Sequence, residues 1–449
     1  MKTKEQDFTH GSVIKQLAAF TLPLFAANIL QYCYQAADMI IVGQVMGNTG
    51  LVAIGTASMI SFCINAFAIG VTAGGTVAIA KRRGAGDEAG QRTASAAVFA
   101  LAAACSLVVA AGGLAFAPLL FAALNVPASS FGDAVSYMAI ICSGSVFTFG
   151  YNAACSLLRG VGDSRGPLAF VAAATVANIV LDLAFVMGLG WGVAGAACAT
   201  VIAQALSCVL AARYLIRRYP SARPRFESVR VLFSELAAVL EVGIPSAFQM
   251  VVVNVSYLLV TGMLNAYGTE VAAASGIGLK ISTLSGLPCW AIGQAVTAMT
   301  SQNAGARKPG RMREAVLASC GVSVAVIAVI AIATQVFACD LARLFGASDA
   351  ATVEIAVLYL RITCSFNAVF YALMYCFDSF ALGSGAPRLA LVNSLFDAVV
   401  IRFGLAWLLG WALGFGFAGI YVAQALSPVI PTLIGVTYFL RGTWAKEAR

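Results

Sequence analysis

Four side chains set within apolar sequence carry the chemistry open to this chain: Asp38, Asn178, Asp182 and Thr200. Asn178 and Asp182 are four residues apart, so on a helix they share one face. With Asp38, Thr200 and the Ala196 carbonyl one turn before Thr200, they offer oxygen atoms only. Such a set suits a hard cation, and two neighbouring carboxylates can equally share a proton. An ionised carboxylate inside a bilayer costs about 2.5 kcal/mol or more, so it persists only where a partner or a water-filled cavity compensates it.

Other groups are less specific. Pro23 precedes Asp38 on the same apolar segment, where it removes a backbone hydrogen bond and crowds the preceding turn. It reads either as a hinge whose bend answers the charge of Asp38 or as a static kink. Gln31, Tyr32 and Tyr34 could line a cavity there or bond within a bundle. In the second half, Asp378, Asp397 and Arg402 also fall in apolar sequence, and the spacing of Asn393, Asp397 and Arg402 fits local pairing. His10 stands alone, which leaves no zinc motif and no buried histidine for a Ser-His-Asp arrangement. The pairs Gly84/Gly86 and Gly160/Gly162 follow no strand and precede no Gly-Lys-Ser/Thr, so they read as tight turns and not phosphate loops. The 12 cysteines form no C-x-x-C pair and read as small packing residues. No catalytic residue and no cofactor are expected.

Composition says what must hold these groups. With 61% hydrophobic and 10% charged residues over 449 positions, and a mean hydropathy of +0.90, the chain is a polytopic membrane protein. Crossing a hydrocarbon core takes ~20 apolar residues. Runs of that length predict spans over 14–43, 51–80, 93–123, 133–158, 168–188 and 192–213, then 236–266, 271–302, 314–338, 352–382, 388–411 and 416–440. Asp38 thus lies on the first span, Asn178 and Asp182 on the fifth, and Thr200 on the sixth. The first segment is too long for a secretory signal and should remain in the mature protein.

The spans are written twice. Pro23, Gly47 and Gly84 recur as Pro245, Gly268 and Gly305, at offsets of 222 (245 − 23), 221 (268 − 47) and 221 (305 − 84). Pro167 and the run Ala203–Ser207 recur as Pro387 and Ala423–Ser427, at 220 (387 − 167). On these offsets Asp38 answers to Leu259 or Val260, and Asp182 to Arg402, so only the first copy carries the acidic set. Six spans per copy is an even number, so both copies enter from the same side of the membrane. The expected fold is all-α, with twelve transmembrane helices in two pseudo-symmetric six-helix lobes, a parallel repeat around a central cleft. The lobes are 1–213 and 236–449, joined by a linker, 214–235, that holds Pro220, Pro224 and five of the arginines between Arg213 and Arg230.

Lys81, Arg82 and Arg83, the linker arginines, and Arg307, Lys308, Arg311 and Arg313 all fall in breaks on one side, whereas Asp133, Glu270, Asp340 and Asp349 fall on the other. The positive-inside rule makes the first side, with both termini, cytoplasmic. The net charge of +8 is then an orientation device, and nucleic acid is not an expected partner. Small-residue clusters such as Gly70, Ala73, Gly74 and Gly75 let helix backbones approach closely in lipid.

Pro23 and Asp38 in the first span, Asn178-x-x-x-Asp182 in the fifth, Thr200 in the sixth and Arg159-Gly160-x-Gly162-Asp163 after the fourth resemble the multidrug and toxic compound extrusion (MATE) family across essentially the whole chain. The resemblance implies a multi-pass inner-membrane antiporter that expels amphipathic, often cationic compounds by alternating access, against inward H⁺ or Na⁺. It also implies that Asp38, Asn178, Asp182 and Thr200 form the ion or proton site, with Na⁺ one occupant, and that the first helix bends at Pro23. Gln31 and Tyr34 are candidates for the substrate cavity. A second branch of the family uses acids in the seventh and tenth spans. Here the seventh has none between Pro245 and Ala266, and Asp378 lies close to the glycine break that follows the tenth. The expected partners are small organic substrates and the lipid bilayer, and the expected state is a monomer. The alternative is a lipid-linked oligosaccharide flippase or a metabolite exporter of the same superfamily; a flippase needs basic groups for a pyrophosphate, and only Arg402 is firmly intramembrane.

Overall fold

In lipid the backbone must satisfy its own hydrogen bonds, and this chain does so by forming helices. The computed structural model describes residues 6–447 except Asn125 and Ser348, with the side chains of Asn48, Thr49, Leu51, Val52, Lys446 and Glu447 also left aside. Both chain ends, to which the charge pattern assigns a side, lie outside the described residues.

Twelve long helices occupy the twelve expected segments. In the first copy they are α1 (Val13–Gly47), α2 (Ala53–Gly84), α3 (Glu88–Ala123), α4 (Ala128–Ser143 and Ser145–Gly160), α5 (Arg165–Gly188) and α6 (Gly192–Arg218). In the second they are α7 (Val229–Asn265), α8 (Thr269–Gly305), α9 (Pro309–Val336), α10 (Ala350–Thr363 and Asn367–Ser384), α11 (Pro387–Ala412) and α12 (Gly416–Arg441). Nine are apolar and long enough to span alone, and the bent pairs α4 and α10 make eleven. The twelfth, α8, has the length, 37 residues, but carries Lys280 and the polar run Thr300–Asn303. The duplication is visible in shape: α4 bends by 47° and α10 by 51°. Likewise α1 closes on Gly47 (φ 60°) and α7 is followed by Gly268 (φ 103°), left-handed positions that a side chain would strain.

The chain folds as two compact units, one of Met1–Asp7 and Leu22–Ala247, the other of Phe8–Thr21 and Phe248–Arg449. The start of each copy's first helix therefore belongs with the other copy's unit, and both changeovers fall beside a proline, Pro23 or Pro245. Local packing explains this. Phe8 is fully buried, stacks edge-on against Phe20 at 5.2 Å and donates its N–H to Gln302 Oε1 at 3.2 Å. Its carbonyl accepts from Asn303 Nδ2 at 3.1 Å and Arg311 Nη2 at 3.0 Å. In the other unit, Arg82 pairs with Glu235 at the head of α7, and glycines at 70 and 74 let α2 lie against the backbone of Ala247 and Val239. Side chains such as Val108 on α3 and Val329 on α9 remain exposed, as lipid-facing residues do.

Candidate functional site

Three helices of the first unit bring the acidic set together. Asp38 lies in the second half of α1, four residues before Val42, which is buried with Ile54, Tyr137 and Ala196 in one apolar cluster. Asn178 and Asp182 are one turn apart on α5, and Asp182 is the last residue before the backbone widens to i→i+5 hydrogen bonding over Leu183–Gly188. Thr200 follows on α6. A Cβ on Gly195 would lie 3.2 Å from the Phe185 backbone, so glycine there lets α6 approach the end of α5.

Thr200 Oγ1 donates to Asp38 Oδ2 at 3.4 Å, and the Asp182 carboxyl and Asn178 amide lie within electrostatic reach of the same carboxyl. Asp38 is 8% exposed, Asn178 1% and Asp182 0%. Asp38 Oδ1, both oxygens of Asp182, and Oδ1 and Nδ2 of Asn178 are buried with no hydrogen-bond partner. Buried polar groups are ordinarily satisfied. Here several atoms without partners come from three neighbouring side chains, two of them acids.

Asp163, just before α5, shows the contrary case. Its Oδ1 accepts from the N–H groups of Arg165 and Gly166, each at 3.0 Å, and its Oδ2 from the hydroxyls of Tyr214 at 2.9 Å and Tyr219 at 2.7 Å. That acid caps a helix and fastens the end of α6, with no capacity left over for a ligand.

Of the other expected residues, Tyr34 lies one turn before Asp38 on α1, half-buried and close to Gln204. Gln31 is half-buried a turn earlier. Pro23 is remote: fifteen residues of helix put it about 22 Å from Asp38. α1 passes through Pro23 with helical dihedrals, and its only non-helical residue before α2 is Gly47. One neighbour escaped the sequence reading. Tyr137 on α4, 5% exposed and close to Ser58, faces Asp38, Tyr34 and Asp182. Apolar sequence around a tyrosine signals burial but not which helix it faces.

In the second unit each buried acid has a side-chain partner, although Asp397 Oδ1, Arg402 Nε and Asn393 Oδ1 are themselves buried without a hydrogen bond. Asp397 Oδ2 accepts from Arg402 Nη2 at 2.7 Å with both side chains buried, and the Arg402 guanidinium lies 4.0 Å over the Tyr257 ring. Asp378 Oδ1 accepts from Asn393 Nδ2 at 2.6 Å.

The sequence model of the MatE family matches residues 23–184 and 245–408, one match on each copy. The chain is 30% identical over 443 residues to a Bacillus subtilis protein named "Probable multidrug resistance protein YpnP", covering 98% of each. It is 23% identical over 447 residues to the FAD transporter of Shewanella oneidensis, covering 96% of each. Its fold superimposes with a TM-score of 0.91 on an outward-facing multidrug resistance MATE family transporter of the MOP superfamily, at 22% identity and 99% coverage of each chain. The family matches on both halves, together with a relative alike from end to end, establish that this chain belongs to the MatE family and is a multi-pass membrane transporter, not an enzyme.

Proposed function

We propose that the protein is a secondary active multidrug exporter of the cytoplasmic membrane that antiports amphipathic, often cationic compounds against H⁺ or Na⁺. The observation that carries this reading is the group of buried, unpartnered polar atoms on Asp38, Asn178 and Asp182, beside Thr200. Two carboxylates repel unless a cation or proton joins them, so occupancy changes the preferred spacing of α1 and α5. A ligand moves a conformational equilibrium only by its differential affinity for the two states. An ion bound between two helices supplies such a difference directly. Drug export is supported by the name of the Bacillus subtilis relative. In this reading the transporter works as a monomer with both termini in the cytoplasm, lobes 1–213 and 236–449 joined by 214–235, and α1 hinged at Pro23, with Gln31 and Tyr34 on the substrate side. No cofactor takes part.

The experiment is export of a fluorescent organic cation from proteoliposomes under an imposed pH or Na⁺ gradient, with parent, Asp38→Asn and Asp182→Asn proteins. Gradient-driven export by the parent and none by either variant is the expected result. Export by both variants at the parental rate would remove the ion site from the mechanism. The Shewanella oneidensis relative favours one other reading, a metabolite exporter. Efflux of FAD in the same vesicles, with the organic cation left inside, would establish it.

A further inference from the structure

The backbone of α11 is unusual in a way that coincides with its ion pair. It runs with i→i+5 hydrogen bonding over Phe396–Leu405 and again over Leu408–Ala412. The matching helix of the first unit, α5, is α-helical from Arg165 to Asp182 and has one such stretch, Leu183–Gly188. Left-handed glycines bracket both helices and fix their correspondence: Gly162 and Gly385 before them (385 − 162 = 223), Gly190 and Gly414 after them (414 − 190 = 224). On that correspondence Leu183–Gly188 answers to Leu408–Ala412, and Phe396–Leu405 has no counterpart. Between its glycines α11 also carries one residue more than α5, which a wider turn absorbs.

Asp397 and Arg402 lie five residues apart inside the extra stretch. In an α-helix, residues five apart diverge by about 140° around the axis and could not pair across a short gap. Wide i→i+5 turns, of about 4.4 residues each, cut that divergence to about 50° and bring the two side chains within reach. The pair closes at 2.7 Å, with Arg402 Nη2 also 3.4 Å from Ser427 Oγ and the guanidinium seated on Tyr257 of α7. Further out, the Gly410 carbonyl accepts from the Tyr267 hydroxyl at 3.0 Å.

We propose that the Asp397–Arg402 ion pair is the catch of a register switch in α11: closed, it holds Phe396–Leu405 in wide turns, and opened, it lets them return to α-helix. Wide turns are rare and mostly single, so a run of this length calls for an interaction that only their geometry supplies. On opening, with the inner end held by Asn393 and Asp378, the outer end advances by one residue, about 1.5 Å and 100°. That advance breaks the Tyr267–Gly410 hydrogen bond and uncouples the outer ends of α7 and α11.

Cross-linking reads the register directly, because a Cβ on Gly410 would lie 2.7 Å from Ile420 Cγ1 on α12. The full chain, its native cysteines replaced, is reconstituted carrying Ile420→Cys with either Gly410→Cys or Leu409→Cys. With the pair intact, the 410–420 disulfide forms in preference. In the neutral variant Asp397→Asn/Arg402→Gln, which leaves no uncompensated buried charge, the preference passes to 409–420, a change in yield ratio of about tenfold for a 100° rotation. Exchanging the charges, Asp397→Arg/Arg402→Asp, brings it back to 410. A neutral variant that still prefers 410, or that cross-links at neither position while monodisperse, overturns the proposal. Should the neutral variant aggregate, Asp397→Leu/Arg402→Met, which fills the space without charge, is read by the same two outcomes.

Discussion

The two units bury charge on the same helix of their repeat and treat it in opposite ways. On α5, Asp182 faces Asp38 with both carboxylate oxygens unpartnered, whereas on α11, Asp397 holds Arg402 at 2.7 Å. In the second unit Asp397 has its counter-charge five residues away, and Asp378 has the amide of Asn393. In the first, two buried acids have no basic partner among the contacts described, and the proposed function gives that place to a cation or proton. A buried pair contributes little net stability but costs much when half of it is removed, and an unpaired buried acid is a standing cost that its removal relieves. Duplication thus left one framework with two electrostatic arrangements, an ion pair in one unit and two facing acids in the other.

That contrast is broken most directly by stability. Arg402→Gln strands Asp397 in apolar surroundings and should cost about 3–5 kcal/mol, seen as a lowered unfolding midpoint in detergent or nanodiscs. Asp182→Asn removes a carboxyl that has no internal partner, so its midpoint should equal or exceed the parent's. Equal losses in both variants would show that the two acids are held alike.

Transport sharpens the comparison next. Asp38→Asn and Asp182→Asn should each reduce gradient-driven export by about 10–100-fold, the range of an ordinary coupling free energy, whereas Asp378→Asn should leave the gradient dependence unchanged. If Asp378→Asn also uncouples transport, the second unit has an ion site of its own. Thr200→Ala deletes one hydroxyl at the edge of the first site and should weaken apparent ion affinity about fivefold, roughly 1 kcal/mol, with Thr200→Ser restoring it. A dose–response for the driving ion in the three proteins measures this; no change would place Thr200 outside the site.

The smallest effect belongs to an acid satisfied outside the membrane. Asp349 caps α10 by accepting the Thr352 N–H at 2.7 Å, which holds its carboxyl below the usual carboxylate value. A value lowered by folding means that the cap contributes above the ordinary pKa of ~3.9 and is lost as pH falls through the folded-state value. Asp349→Ala should lower the unfolding midpoint by no more than about 2 °C at neutral pH. In acid the difference should close, and a difference that persists there would mean that the carboxylate is not what caps the helix.

Much of this organisation is legible in the sequence. The twelve segments, their duplication and the position of Asp38, Asn178, Asp182 and Thr200 within them follow from hydropathy and spacing. The correspondence between copies is not legible there. Offsets of 220 make Arg402 the counterpart of Asp182, but the glycines that bracket α5 and α11 correspond at 223 and 224, which sets Asp182 opposite Leu405 or Ala406. Repeated letters mislead where a wide turn absorbs a residue, because the inserted residue changes the register without interrupting the apolar pattern.

Sequence alone determined which stretches are helices and which residues lie inside them, because lipid forces every spanning backbone to bond within itself. Tertiary structure decided the partners. Asp38 meets Asp182 across 144 residues (182 − 38) of chain, Tyr137 faces both, and the opening residues 8–21 pack with the second unit instead of the first. Hydropathy reports how much water a residue sees, and that quantity is the same for a buried acid with a partner and one without. Only the packing of α1, α5 and α6, and the wider turns of α11, determine which of the two each acid becomes.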